Sequence, residues 1–189
     1  LIYGVEGDVS QEESYSFIVG ADSHIADDTG RLEEMFDIGI KHGDMFYAHL
    51  GDLADTKAEY YINTKKCVDK AKKKFVMEYF TQSPEDDDVW VSKYEPDYSE
   101  KYDDIVFPFF PVVGNHDITH NGWALFSTIF KSSFYDFEIQ VSEDGTVDHL
   151  IFLDSANGTF GRKQIELIEE GVADPDKKTR NVFVFTHTN

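Results

Sequence analysis

The chain has 189 residues, 41% hydrophobic and 15% aromatic, which suits one globular domain with a real core and excludes wholesale disorder. Its formal charge of -20 argues against a nucleic-acid backbone or an anionic membrane surface as partner, since both would repel it. The single cysteine, Cys67, excludes an internal disulfide, and no apolar run approaches the roughly 18 residues that a membrane-spanning helix needs. The chain opens on Leu1 rather than Met, so a natural start is expected upstream. A signal peptide or lipid anchor could precede it, and an exported protein is an open expectation.

Residues 1–14 are polar and weakly patterned, and are expected to be a leader. Tyr15 to Val19 reads as a buried strand closed by Gly20, with Asp22-Ser23-His24 on the loop after it. A helix is expected from Thr29 or Gly30 to about His42, with Leu32, Met35, Phe36 and Gly39 or Ile40 on one face. Met45 to Leu50 is the second strand and runs into Gly51-Asp52. Lys57 to Phe80 carries a second helical stripe of Tyr60, Tyr61, Thr64, Val68, Ala71, Phe75 and Tyr79. Its lysines, Lys65, Lys66, Lys70 and Lys72 to Lys74, read as a solvated face.

Residues 82–105 break this rhythm. Pro84 and Pro96 interrupt a helix, acidic residues accumulate, and Trp90, Tyr94, Tyr98 and Tyr102 recur every four positions. We expect an insertion whose aromatics pack it onto the core, with a lid over the site as the competing reading. Phe107 to Val113 is the third strand, and its two prolines disfavour a central place in a sheet. A short helix is expected over Trp123–Phe130, and a hairpin from Phe134–Val141 and Asp148–Leu153 around Glu143-Asp144-Gly145. Gln164–Glu170 reads as a helix, Asp174-Pro175-Asp176 as a turn, and Asn181–Thr186 as the last strand, ending at His187.

Strands alternating with helices predict an α/β fold, in which sites gather beyond the carboxyl ends of strands. Asp22, His24, Asp52, Asn115 and His187 are therefore expected to converge at one edge. Carboxylate, imidazole and amide oxygen without thiolate suit Mn, Fe, Zn or Mg. Each residue alone has a plainer reading: Asp22 and Asp52 as helix caps, His24 and His187 as loop histidines, Asn115-His116-Asp117 as a turn. His49 reads as a core or supporting residue, His42 and His149 as surface positions, and His120 as ambiguous, close enough behind Asn115-His116-Asp117 to reach a substrate but more readily read as a plain loop histidine. Asp154-Ser155 reads as a turn or a second approach to the site. Asn157-Gly158-Thr159 matches a glycosylation acceptor.

The ordered series Asp22-x-His24, Gly51-Asp52-x-x-Asp55, Gly114-Asn115-His116-Asp117 and a strand ending at His187 resembles the calcineurin-like metallophosphoesterase family. The resemblance runs from about Tyr15 to the end, with 82–105 outside it. It implies a layered β-sheet sandwich flanked by helices over residues 15–189, with the C-terminal part absent. It also implies two divalent cations, one held by Asp22, His24 and Asp52 and the other by Asp52, Asn115 and His187. His116 would assist at the phosphoryl group, and Asp117 would orient its imidazole. The implied reaction is hydrolysis of a phosphomonoester or phosphodiester by metal-bound hydroxide. The substrate would be a small molecule or a phosphorylated partner.

Two departures stand out. The family's Gly-His-x-His loop is not reached before Asn189, so a continuation is expected. Asp55 stands where the purple acid phosphatase branch has a tyrosine, which disfavours that branch. The alternative from another class is a catalytically weak scaffold used as a binding module; failure to bind cations would favour it. Ser23 as a hydrolase nucleophile lacks the glycine-flanked elbow such a residue needs.

Overall fold

The computed structural model describes residues 2–3, 14–73, 80–83, 86–92, 107–142, 144–173 and 178–188, with side chains described at 14–69, 107–142, 144–169 and 178–188. The architecture is mixed α/β. In chain order the strands and helices are β1 (Ile2–Tyr3), β2 (Ile18–Gly20), α1 (Gly30–His42), β3 (Tyr47–His49), α2 (Ala58–Lys73), β4 (Phe80–Ser83), β5 (Asp86–Ser92), β6 (Phe109–Pro111), α3 (Gly122–Phe130), β7 (Tyr135–Gln140), β8 (Val147–Phe152), α4 (Arg162–Ala173) and β9 (Thr179–Phe185).

A small parallel sheet has the order β2-β3-β6, with Ile18 opposite Tyr47 and Tyr47 opposite Phe109. The second sheet is built on β7-β8-β9, an antiparallel hairpin extended by a parallel strand, to which β1, β5 and β4 add in that order. Strand β6 lies at an edge, where Pro111 and its missing N–H are tolerated. The first strand is displaced from expectation. It begins at Ile18 and pairs on one side only, so Val19 is 44% exposed where a buried strand was expected.

Alternation along β3 divides the core. Tyr47 joins Leu32, Phe36, Tyr60, Tyr61, Phe107, Phe109 and Phe126, so α1, α2 and α3 cover that face. Phe46 and Ala48 meet Phe110, Phe137, Leu150, Phe152 and Phe185, which belong largely to the larger sheet. The ring centroids of Phe110 and Phe137 are 4.6 Å apart, and those of Phe46 and Phe137 are 5.9 Å apart. Each buried phenylalanine contributes about 1.5–3 kcal/mol. This aromatic layer therefore fixes how the loops after the small sheet meet the loop after β9.

Helix α1 buries Leu32, Phe36 and Gly39, the face expected from its spacing. Helix α2 differs from the expected Lys57–Phe80. It ends at Lys73 in the described chain, and Phe80 already belongs to β4. The aromatic and β-branched character of Phe80 and Thr81 suits a strand. Ala71, Phe75 and Tyr79 of the expected stripe lie outside the described side chains. Within the expected insertion, β4 and β5 pair antiparallel, Thr81 opposite Val91. The remainder at 93–106, and the side chains of Trp90, Tyr94, Tyr98 and Tyr102, lie outside the described residues. So do 4–13 of the expected leader, Glu143 of the hairpin turn and the Asp174-Pro175-Asp176 turn. Ile2–Tyr3 of that leader pairs with both β5 and β7.

Strand β9 is pinned at its start. Asp148 on β8 accepts hydrogen bonds from Arg180 Nε and Nη2 at 3.0 and 2.6 Å, Asn181 Nδ2 at 3.0 Å and the Tyr15 hydroxyl at 2.9 Å. Burial alone would raise the Asp148 pKa, but these donors outweigh it and hold the carboxyl below its ordinary range. The pinned strand leads directly into His187. Among the described residues no helix is long and apolar enough to cross a membrane.

Candidate metal centre

The loops after β2 and β3 run side by side, joined by backbone hydrogen bonds. Leu50 N–H donates to Gly20 O, Asp22 N–H to Gly51 O, His24 N–H to Asp52 O, Ile25 N–H to Leu53 O and Asp55 N–H to Ile25 O, at 2.7–3.0 Å. The Ser23 hydroxyl adds a bond to Leu53 O at 2.8 Å. Within this ladder Asp22, His24 and Asp52 all take left-handed backbone, with φ of 55°, 43° and 52°. Such conformations cost non-glycine residues roughly 1–3 kcal/mol each and cluster at functional sites.

The three strained residues bring their donor atoms together, all within 4.8 Å of one another. His24 Nε2 lies 3.7 Å from Asp52 Oδ2 and 4.0 Å from Asp22 Oδ1. Two carboxylates and an imidazole at that spacing are a donor set that one divalent cation suits.

On its other oxygen, Asp52 faces a second group. His187 Nε2 lies 3.5 Å from Asp52 Oδ1 and 2.9 Å from Asn115 Oδ1. The Leu50 carbonyl, which can only accept, lies 2.6 Å from His187 Nδ1, so that nitrogen carries the proton. The other nitrogen, Nε2, faces the Asn115 amide oxygen and the Asp52 carboxylate. Asp52 Oδ1 also accepts the His116 N–H at 2.8 Å. The buried Asp52 carboxylate thus stands between the loops that follow β2, β6 and β9.

Close approach of Gly51 and Gly114 permits this. A Cβ on Gly114 would lie 2.1 Å from Asp52 N, and one on Gly51, at φ 91°, would lie 2.7 Å from His187 Nδ1. Only glycine leaves room for the loops to touch.

His116 and Asp117 divide differently from the expected pairing. The His116 side chain is 55% exposed, with Nε2 3.9 Å from Asp52 Oδ2 and its ring edge-on to His24 at 5.0 Å. Asp117 is fully buried and accepts from the N–H groups of Gly114 at 2.8 Å, Leu53 at 3.1 Å and Ala54 at 3.4 Å, and from the Tyr61 hydroxyl at 2.8 Å. The His116 imidazole is not among these partners. Consecutive residues on a turn point apart, so Asp117 ties the β3 and β6 loops together instead of orienting that ring. Burial raises its pKa, and the four hydrogen bonds counter part of the rise.

Two supporting residues were not legible as such. Tyr61 falls on the apolar stripe of α2, and nothing in its spacing marks its bond to Asp117. The buried Ser155 hydroxyl accepts both the His187 and Thr188 N–H groups, at 3.1 and 2.9 Å. The strand exit at Asp154-Ser155 was the only sequence signal for it. His120 sits on an exposed turn, Thr119–Asn121, at φ 46°. His149, expected at the surface, is buried within 2.6 Å of Asp136. Strand β8 lies between β7 and β9, which a lone histidine in the strand does not reveal. His42 is exposed, as expected, and Asn157 is exposed too.

His49 lies under the centre at the end of β3, fully buried, and neither ring nitrogen has a hydrogen-bond partner among the described residues. Burial, with smaller contributions from His187 and His24, lowers its pKa from 6.5 to about 3. A lowered folded-state pKa means the unfolded chain takes the proton first. This stabilising contribution is present above the ordinary histidine pKa and is lost as pH falls from about 6.5 toward about 3. Urea unfolding of His49→Leu should show a midpoint that declines less than wild type between those limits.

The chain matches no known protein-family model, and no curated protein matches it.

Proposed function

We propose that the chain is a two-cation phosphoesterase with a layered β-sandwich core of the calcineurin-like metallophosphoesterase kind, formed by residues 15–189 around an insertion at 82–105. The observation that carries this reading is the buried Asp52 carboxylate, with Asp22 and His24 toward one oxygen and Asn115 and His187 toward the other. Clustered carboxylates on strained backbone are costly unless a cation offsets them. One cation on each side of Asp52 answers both costs with the residues present.

Bound divalent cations would supply Lewis acidity toward a phosphoryl oxygen and an activated water near neutral pH. They would also reverse, locally, the negative potential that a chain of charge -20 presents to an anionic ester. The residues do the rest. Asp22, His24, Asn115 and His187 fix the two positions, with the Leu50 carbonyl holding the His187 tautomer. His116 keeps its exposed imidazole beside them and donates a proton to the leaving oxygen. Asp117 and Tyr61 hold the backbone that presents His116.

Hydrolysis of p-nitrophenyl phosphate and bis(p-nitrophenyl) phosphate by the full-length protein, with Mn, Fe, Zn or Mg in turn, tests the reading. Activity is expected on at least one ester. His116→Ala should lower kcat by about 10²–10⁴, the range for a positioned acid–base group. A wild-type protein inactive across those metals and both esters, or an unimpaired His116→Ala, contradicts it.

A further inference from the structure

We propose that Asn157 is an N-glycosylation site, and that the chain therefore passes through a compartment where oligosaccharide is transferred to protein. Asn157-Gly158-Thr159 is the one Asn-x-Ser/Thr triplet formed by the six asparagines of the sequence. The triplet alone is a short pattern; its placement in the fold gives it weight. It lies on the connection between β8 and α4, where residues 157–163 are all exposed. The base of this connection is fixed. Gln164 Oε1 accepts Asp154 N–H at 2.6 Å, and Gln164 Nε2 donates to Asp154 O at 3.0 Å. Asp154 Oδ1 accepts Ala156 N–H at 3.1 Å, and Gly158 N–H donates to Ser155 O at 2.8 Å. Gly158 takes φ 80°, a left-handed value that glycine adopts without strain. Asn157 thus stands on an exposed turn with an anchored base.

The side-chain contacts suit the chemistry. Asn157 Oδ1 accepts the Thr159 hydroxyl at 2.9 Å and the Thr159 N–H at 3.0 Å. Among the described residues none accepts a hydrogen bond from Asn157 Nδ2. Asn63 and Asn181 differ, since their Nδ2 groups donate to Ala26 O at 3.4 Å and to Asp148 Oδ1 at 3.0 Å. Two donors on the amide oxygen draw electron density from the amide and make an Nδ2 proton easier to lose. In the transfer, Nδ2 gives up that proton and bonds to the anomeric carbon of a lipid-diphosphate-linked oligosaccharide. The bond from that carbon to the diphosphate breaks, and the diphosphate leaves with the electron pair. The thiol content fits an oxidising lumen. Cys67, the chain's one cysteine, is buried, so the folded protein presents no exposed thiol.

The test is mass spectrometry of the full-length protein isolated from the cells that naturally make it. Trypsin releases Asn157 within the single peptide Ser132–Arg162. That peptide should carry hexose and N-acetylhexosamine mass on Asn157. Peptide-N-glycosidase in H₂¹⁸O should remove the mass and leave an ¹⁸O-labelled aspartate, with a sample lacking the enzyme as control for spontaneous deamidation at Asn157-Gly158. Thr159→Ala and Asn157→Gln, produced in the same cells, should lose the glycan, while Thr159→Ser, which keeps the hydroxyl, should retain it. A wild-type peptide with unmodified Asn157 overturns the inference. So does a glycan that survives in Thr159→Ala, because the hydroxyl contact then plays no part. The readout is a mass on one peptide, so it decides the matter whether or not the protein hydrolyses phosphate esters.

Discussion

Asp52→Asn should lower phosphate-ester hydrolysis about a thousandfold or more, equivalent to about 4 kcal/mol of transition-state stabilisation. No other described side chain faces both groups of donors. Its Oδ2 looks to His24 and its Oδ1 to His187, so one substitution would weaken both proposed cation positions together. The fold should survive, because the amide oxygen still accepts the His116 N–H that Asp52 Oδ1 accepts now. Circular dichroism and the urea midpoint check that the loss is chemical. Activity within tenfold of wild type would mean that Asp52 bridges nothing that matters to the reaction.

Gly114→Ala should be the most destabilising single-methyl change near the centre. The new Cβ would lie 2.1 Å from Asp52 N and 2.3 Å from Asp52 Oδ1, and 2.9 Å from the carbonyl carbon of Gly51. Two of these neighbours are backbone, so no rotamer change relieves the overlap, and the β3 and β6 loops must separate. Overpacking of that kind typically costs 1–3 kcal/mol, and losing the Asp117 bonds that join the loops carries the expected total to about 3 kcal/mol or more. The urea midpoint should fall accordingly, and Mn affinity should fall with it. A variant as stable as wild type would show that the loops do not touch as described.

Much of this was legible because the physics is local. An apolar run halted by glycine or by a cluster of polar residues marks a strand exit, and the Asp22, Asp52, Asn115 and His187 loops were each found that way. The face of α1, the β7–β8 hairpin and the edge place of β6 follow equally from spacing and from proline. What was not legible depends on loops meeting each other. The left-handed backbone of Asp22, His24 and Asp52 arises from the ladder between two loops, and no single-residue pattern encodes it. Asp117 adjoins His116 in sequence, yet its partners are up to 64 positions away. Tyr61 and Ser155 look like ordinary packing and turn residues until Asp117 and His187 are placed against them. His149 looked exposed because burial of a β8 histidine depends on the strands either side of it.

In the proposed site, the Asp52 carboxylate faces two cation positions at once. The most direct measurement is the number and coupling of Mn ions bound by the metal-free full-length protein, by equilibrium dialysis with metal analysis and low-temperature EPR. Two Mn per chain with an exchange-coupled spectrum are expected, with loss of that coupling in Asp52→Asn. A single isolated Mn per chain, or none, would contradict it.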